Sequence, residues 1–354
     1  MTQPTLSVGR VAIIGPSFFS YVQNIAAEFS SRGMDVIVRD EKRSNSRLTK
    51  IAFRLGLSSR MRGQQRYLSD LADELIAGGW PDILILAPEV INRRFVAKLV
   101  NAGARVHLYS WDGSRNKGQY REYLDLLSSR GSFDPDDAAQ YDMRYFPLFA
   151  QRAFLPDEAA LSGPVEFDVS FCGTLHSGRA AMIARLARIA SERSIRFGFL
   201  PYYHSRVLFA LRSLASLPGL RLLPQVRSTA FPQQQVAAMM MQSKFVLDMV
   251  HPGQCGLTAR TFETFGCGAM LLTNNARALD VLPPALLERT QVFNDIDELA
   301  AFDFAGTTRP GALDPASRYY VSLDRFVDDL IDLASLGARF LSPGHAVYAR
   351  EQAR

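Results

Sequence analysis

The sequence predicts an α/β protein made of two doubly wound halves, and three observations carry that reading. Short apolar runs rich in Val, Ile and Leu alternate with longer segments of helical period, the pattern of parallel strands covered by helices on both faces. At 354 residues the chain is long enough for about two domains of ordinary size. The alternation blurs once, between residues 112 and 156, where Trp, Asp, Pro and Gly gather, and then resumes.

The first strand is expected at 11–14 (VAII), followed by an amphipathic helix over 18–31 and a strand at 35–38. DILILA at 82–87 and ARVHLY at 104–109 read as further strands, with a helix across 92–101 between them. In the second half, strands at 167–172, 195–200, 219–223, 245–250 and 269–273 alternate with helices at 179–191, 205–214, 233–241 and 258–265. A last helix covers 324–336. The expected domains are 1–155 and 156–323, with 324–354 as a closing segment that returns toward the first. In open sheets of this kind ligands sit at the carboxyl ends of the strands, so the loops there are where chemistry is sought.

Composition narrows the function classes. Lys and Arg number 40 against 35 Asp and Glu, a net charge of +5 that is too small to argue for nucleic acid. Arginine carries nearly all the positive charge; it suits bidentate phosphate recognition, and a GC-rich genome would give the same bias. Cys172, Cys255 and Cys267 neither frame disulfides nor form a C-x-x-C pair, so a reduced, cytoplasmic setting without structural zinc is expected. No apolar run approaches the roughly 18 residues that a membrane-spanning helix needs. Gly15-Pro16-Ser17 follows the first strand in place of G-x-G-x-x-G, which disfavours a nicotinamide or flavin enzyme.

Two further segments have double readings. Asp134-Pro135-Asp136-Asp137 has the carboxylates of a cation site, but Asp followed by Pro is also how a capped helix starts, and the cap is preferred. No metal is expected. Residues 39–66 are dense in cations (Lys42, Arg43, Arg47, Lys50, Arg54, Arg60, Arg62, Arg66), with Leu48, Ile51, Ala52 and Leu55 at helical spacing. Such a helix either lies on an anionic leaflet or packs its apolar stripe on the first domain, and both readings stay open.

The order of the second half is distinctive. A strand ends in Gly173-Thr174, and Arg179 opens the next helix. Arg227-Ser228-Thr229 follows later, then a strand ending in Asp248, a Gly-rich turn, a helix carrying Glu263, and a strand closing on Thr273-Asn274-Asn275. This order resembles the donor-binding domain of GT-B glycosyltransferases. GQCGLTARTFETFGCGAMLLTNN (253–275), SFDPDDAAQY (132–141) and DVSFCGTLHSGR (168–179) are similar to bacterial proteins of lipopolysaccharide and capsule biosynthesis, over roughly residues 105–340. The resemblance implies two Rossmann-like domains facing across a cleft, with a nucleotide-sugar held by the second.

On that resemblance the donor-binding candidates are Gly173, Thr174, His176, Arg179, Arg227, Gln254, Gly256, Leu257, Thr258, Arg260 and Glu263. The chemistry agrees with it. Gly253 and Gly256 let backbone approach a phosphate, a helix starting near Leu257 presents N–H groups, and Arg260 lies within one turn. Glu263 matches the family's carboxylate on the donor ribose. No acidic residue stands seven positions before it, where the common retaining pattern has one, so the stereochemical outcome is open. Asp112, at a strand end beside Trp111, is the candidate general base, with Trp111 stacking on a sugar; His251 is the second candidate.

The function implied is transfer of a sugar from a nucleotide-sugar to a saccharide or lipid-linked acceptor of a surface polysaccharide. The nucleotide-sugar is a co-substrate, no cofactor is expected, and the protein would be cytoplasmic or peripheral at the inner face of the membrane. The alternatives are a nucleotide-sugar-binding assembly protein without catalysis, or another group transfer on the same scaffold, such as pyruvyl transfer.

Overall fold

A computed structural model describes residues 9–16, 20–43, 62–175, 178–213, 219, 221–250, 254–337, 340–342 and 345. The chain divides into two units: Met1–Pro147 with Leu323–Arg354, and Leu148–Ser322. Each is built on its own parallel sheet with helices packed against it.

In the first unit, β1 (Arg10–Ile14), α1 (Tyr21–Ser31), β2 (Asp35–Arg39), α2 (Arg62–Ala77), β3 (Asp82–Leu86), α3 (Arg93–Asn101) and β4 (Arg105–Ser110) follow in order. β5 (Ser129–Ser132), α4 (Pro135–Gln140) and β6 (Arg144–Tyr145) complete the sheet, whose order is β2-β1-β3-β4-β5-β6. Every registered pair is parallel. β3 is buried at all five positions because helices cover both of its faces, and this is why every residue after Asp82 is apolar. The closing helix α9 (Leu323–Leu333) packs against α1. Arg32 joins them through Glu28 Oε1 at 3.0 Å, the Asp324 carbonyl at 2.9 Å and the fully buried Asp328 carboxylate.

The second unit runs β7 (Phe167–Thr174), α5 (Arg179–Glu192), β8 (Phe197–Tyr202), α6 (Arg206–Ser213), α7 (Gln233–Met241), β9 (Ser243–Asp248), α8 (Ala259–Gly266), β10 (Met270–Thr273) and β11 (Thr290–Val292). The strand order is β11-β10-β9-β7-β8, again all parallel. The strand expected at 219–223 does not form. Pro218 and Pro224 bracket a segment of leucines without β-branched residues, and turns close it through Leu222 N to Gly219 O and Gln225 N to Leu222 O. β5, β6 and β11 were not foreseen, since SRGS, RY and TQV carry too little apolar signal.

Gly266 shows how tightly α8 is seated. A Cβ there would lie 2.3 Å from the Phe154 carbonyl oxygen. Backbone cannot yield as a side-chain tip does, so Gly266→Ala is expected to destabilise the fold by roughly 2 kcal/mol. Thermal unfolding checks this: a loss of several degrees is expected, and an unchanged midpoint would show that α8 has room to shift.

Candidate functional site

In sheet order β7 stands between β8 and β9, so the chain reverses direction across the sheet between β7 and β9. That reversal is where an open parallel sheet leaves a crevice at its carboxyl end. Gly173 and Thr174 end β7, Asp248 ends β9, and Thr258, the cap of α8, follows ten residues after Asp248 at the same end.

Arg179 is the side chain set into this position. Gly178, at φ 83° in the left-handed region, makes the turn that starts α5 and places Arg179 first on the helix. The half-buried guanidinium donates through Nη2 to the Met249 carbonyl just past β9, so it spans the β7–β9 gap. Its Nε is buried and donates to nothing among the described groups. Burial, reinforced by the nearby Arg260 charge and opposed by Asp248, pushes Arg179 below the usual arginine range. A buried donor without an acceptor costs about 1–3 kcal/mol, a cost that an anion with oxygens directed at the guanidinium would relieve.

Asp248 organises the rest. Its Oδ2 accepts from Thr258 Oγ1 at 2.8 Å and Thr261 Oγ1 at 2.9 Å, pinning the start of α8 to the end of β9. Thr258 also caps α8 by accepting from the Arg260 N–H at 3.1 Å. Its hydroxyl proton is thus used within the fold. Arg260 pairs with Glu263 one turn on, at 2.8 Å, and lies 5.7 Å from the Phe154 ring centroid. Glu263 is only 4% exposed, so the pair presents its arginine rather than its carboxylate to solvent.

The other candidates are more scattered. Leu257 is 2% exposed, so its side chain belongs to the core. Gln254 donates to the Gly256 carbonyl at 3.4 Å. Arg227 is exposed at the outer side of β8, over the Phe231 ring at 4.7 Å, with β7 between it and β9. His176, His251 and Gly253 lie outside the described residues, as does most of the cationic segment 39–66.

The first unit has its own strand-end cluster. In β2-β1-β3 the direction changes between β1 and β3, and charged groups collect beyond those ends. Asp112, just past β4, accepts from Lys117 Nζ at 2.8 Å; the same ammonium donates to Glu89 Oε1 at 2.7 Å, and Glu89 also pairs with Lys42. Burial works against the Lys117 charge, yet Asp112 and Glu89 raise it above the usual lysine range. Trp111 stands 6.3 Å from the Tyr21 ring, giving an aromatic pair next to Asp112. Two of the clustered aspartates make local bonds: Asp134 caps α4, and Asp137 accepts from Ser114 N and Oγ, each at 2.6 Å.

Glu41, which the sequence reading passed over, is fully buried and accepts N–H bonds from Glu89, Val90 and Ile91. It holds the loop that carries Glu89. Its only sequence signal is an acidic pair, Asp40-Glu41, just past an apolar strand. Burial lifts its carboxyl from 4.5 to about 7, although the N–H donors and Lys42 favour the anion. A raised folded value means stability is full below the unfolded value and is lost as pH rises through about 7. The loss amounts to about 3 kcal/mol. Glu41→Gln, which mimics the protonated form, should therefore be more stable than wild type at pH 8, with the advantage gone near pH 5. Denaturant melts at the two pH values check it, and a pH-independent difference would reject it.

Surface hollows of about 210 and 290 Å³ lie beside Trp80 and between α2 and α3, and neither includes a candidate residue. No helix among the described residues is long and apolar enough to cross a membrane.

No known protein family matches the chain, and no curated protein does. Solved structures match it in fold. A glycosyltransferase from Rickettsia africae ESF-5 is 11% identical, with a TM-score of 0.60, covering 93% of this chain and 98% of its own. An α,α-trehalose-phosphate synthase (UDP-forming) from Burkholderia vietnamiensis is 12% identical, with a TM-score of 0.64, over 92% and 100% of the two chains. A UDP-GlcNAc 2-epimerase from Methanocaldococcus jannaschii is 11% identical, with a TM-score of 0.52, over 91% and 99%. The two parallel α/β units of this chain are thus the fold shared by GT-B glycosyltransferases and these epimerases.

Proposed function

We propose that the chain is a nucleotide-sugar-dependent glycosyltransferase whose second unit binds the donor diphosphate at Arg179 and the start of α8. The observation that carries this is the buried Arg179 Nε, without an acceptor among the described residues, at the point where strand order reverses. Arg260 would add a second cation, and the Arg260–Glu263 pair would open toward the ribose hydroxyls. In the reaction an acceptor hydroxyl oxygen bonds to the anomeric carbon as the bond to the diphosphate oxygen breaks. The hydroxyl proton passes to a general base, the role read for Asp112 from the sequence, and the leaving diphosphate takes its charge to Arg179. The acceptor is proposed to be a surface-polysaccharide or lipid-linked saccharide, on the sequence resemblance.

A uridine donor is the first to test, since the UDP-forming synthase and the UDP-GlcNAc epimerase share this fold. The epimerases also favour a second reading, isomerisation of a bound nucleotide-sugar without an acceptor. Thermal shifts with UDP, GDP, CDP, CMP and ADP name the donor class, because a ligand that binds only the folded state raises the midpoint by mass action. Incubation with the matching nucleotide-sugar then separates the readings. Acceptor-dependent diphosphate release supports transfer, an altered sugar without release supports isomerisation, and no shift with any nucleotide rejects both.

A further inference from the structure

A surface helix ordinarily turns mostly polar residues outward, but α6 turns three large apolar side chains outward as well. Phe209 and Ser213, four apart, face the core and are 1% and 5% exposed. Val207, Leu208 and Leu211 occupy the opposite face at 70%, 46% and 57% exposure. These are three of the five exposed large apolar side chains among the described residues, so the exposure is concentrated rather than scattered.

The stretch of chain that carries this face has charge of one sign. From Arg193 through Leu247 the sequence has seven Lys and Arg and no Asp or Glu. Some of these cations are used internally: Arg193 donates to the Phe302 carbonyl at 2.7 Å, and Arg196 and Lys244 pair with Asp168. Others are left over. Arg206 and Arg221 are exposed and make no ion pair among the described residues; Arg206 donates only to the Leu223 carbonyl at 3.3 Å.

We propose that α6 and its flanking arginines form a docking surface for an anionic lipid bilayer. The outward side chains would enter the headgroup and acyl boundary, while Arg206 and Arg221 meet lipid phosphates. A second copy of the chain fits poorly, because a symmetric contact through α6 would set the same cations against each other. The surface is distinct from the cationic segment 39–66, and it stands independently of the transfer reaction proposed above.

The test is co-sedimentation of the full chain with vesicles of phosphatidylcholine alone or with about one third phosphatidylglycerol. Wild type is expected to bind the anionic vesicles, less so at high salt, and not the neutral ones. Val207→Gln/Leu211→Gln should lower partitioning about tenfold or more, with unchanged thermal unfolding. Arg206→Gln/Arg221→Gln removes no buried group, and it decides alone should the first pair unfold early. At about fivefold per arginine beside an anionic surface, a loss of at least tenfold is expected from it. Wild-type protein that ignores anionic vesicles, as it would if the face served an acidic protein, overturns the proposal. So does equal binding to neutral vesicles, or undiminished binding by the arginine variant, which would assign the membrane contact to another segment.

Discussion

Arg179→Met should lower affinity for the donor nucleoside diphosphate roughly 10- to 100-fold, the worth of hydrogen bonds to a charged group. The same change should leave the ligand-free protein as stable as wild type, or more so. Methionine fills much of the volume and removes a half-buried charge whose Nε finds no acceptor among the described residues. These two signs together separate binding from structure. A residue that merely braced β7 against β9 through the Met249 carbonyl would give the reverse pattern, a lower melting temperature with affinity intact. Calorimetric titration and thermal unfolding of the same preparations read both.

Asp112→Asn should cut turnover by about 10²–10⁴-fold, the usual worth of general-base catalysis, with donor affinity little changed. The substitution keeps the shape and takes away a proton acceptor. It also removes one of the two carboxylates that hold Lys117 above the usual lysine range, while Glu89 Oε1 remains 2.7 Å from the ammonium. The loop should therefore stay in place, and the defect should appear in kcat rather than in donor binding. Full transfer by the Asn variant with an authentic acceptor would place the base elsewhere.

Much of the fold was legible because buried parallel strands advertise themselves. DILIL in β3 is apolar at four of five positions and is buried throughout, so composition and position agree. The edge strands were not legible: SRGS and RY owe their pairing to a neighbour already in place, not to their own side chains. The leucines at 219–223 misled in the other direction, since burial of Leu222 needs an apolar residue but not an extended backbone.

The candidate site divides along the same line. Thr258, Arg260 and Glu263 stood out through spacing along one helix, which sequence displays directly. The role of Asp248 in fastening that helix to β9 depends on a contact across ten and thirteen residues of chain. Glu41, Glu89 and Lys117 come together only because the sheet brings the ends of β2 and β3 and the segment after β4 to one edge. No spacing rule displays that gathering.

The most direct measurement is a structure of the full chain with a bound nucleoside diphosphate. Its phosphates are expected within hydrogen-bond reach of the Arg179 guanidinium, beyond the ends of β7 and β9 and beside the start of α8. A diphosphate seated elsewhere, or an empty position at Arg179 under saturating nucleotide, would contradict the assignment of the donor site.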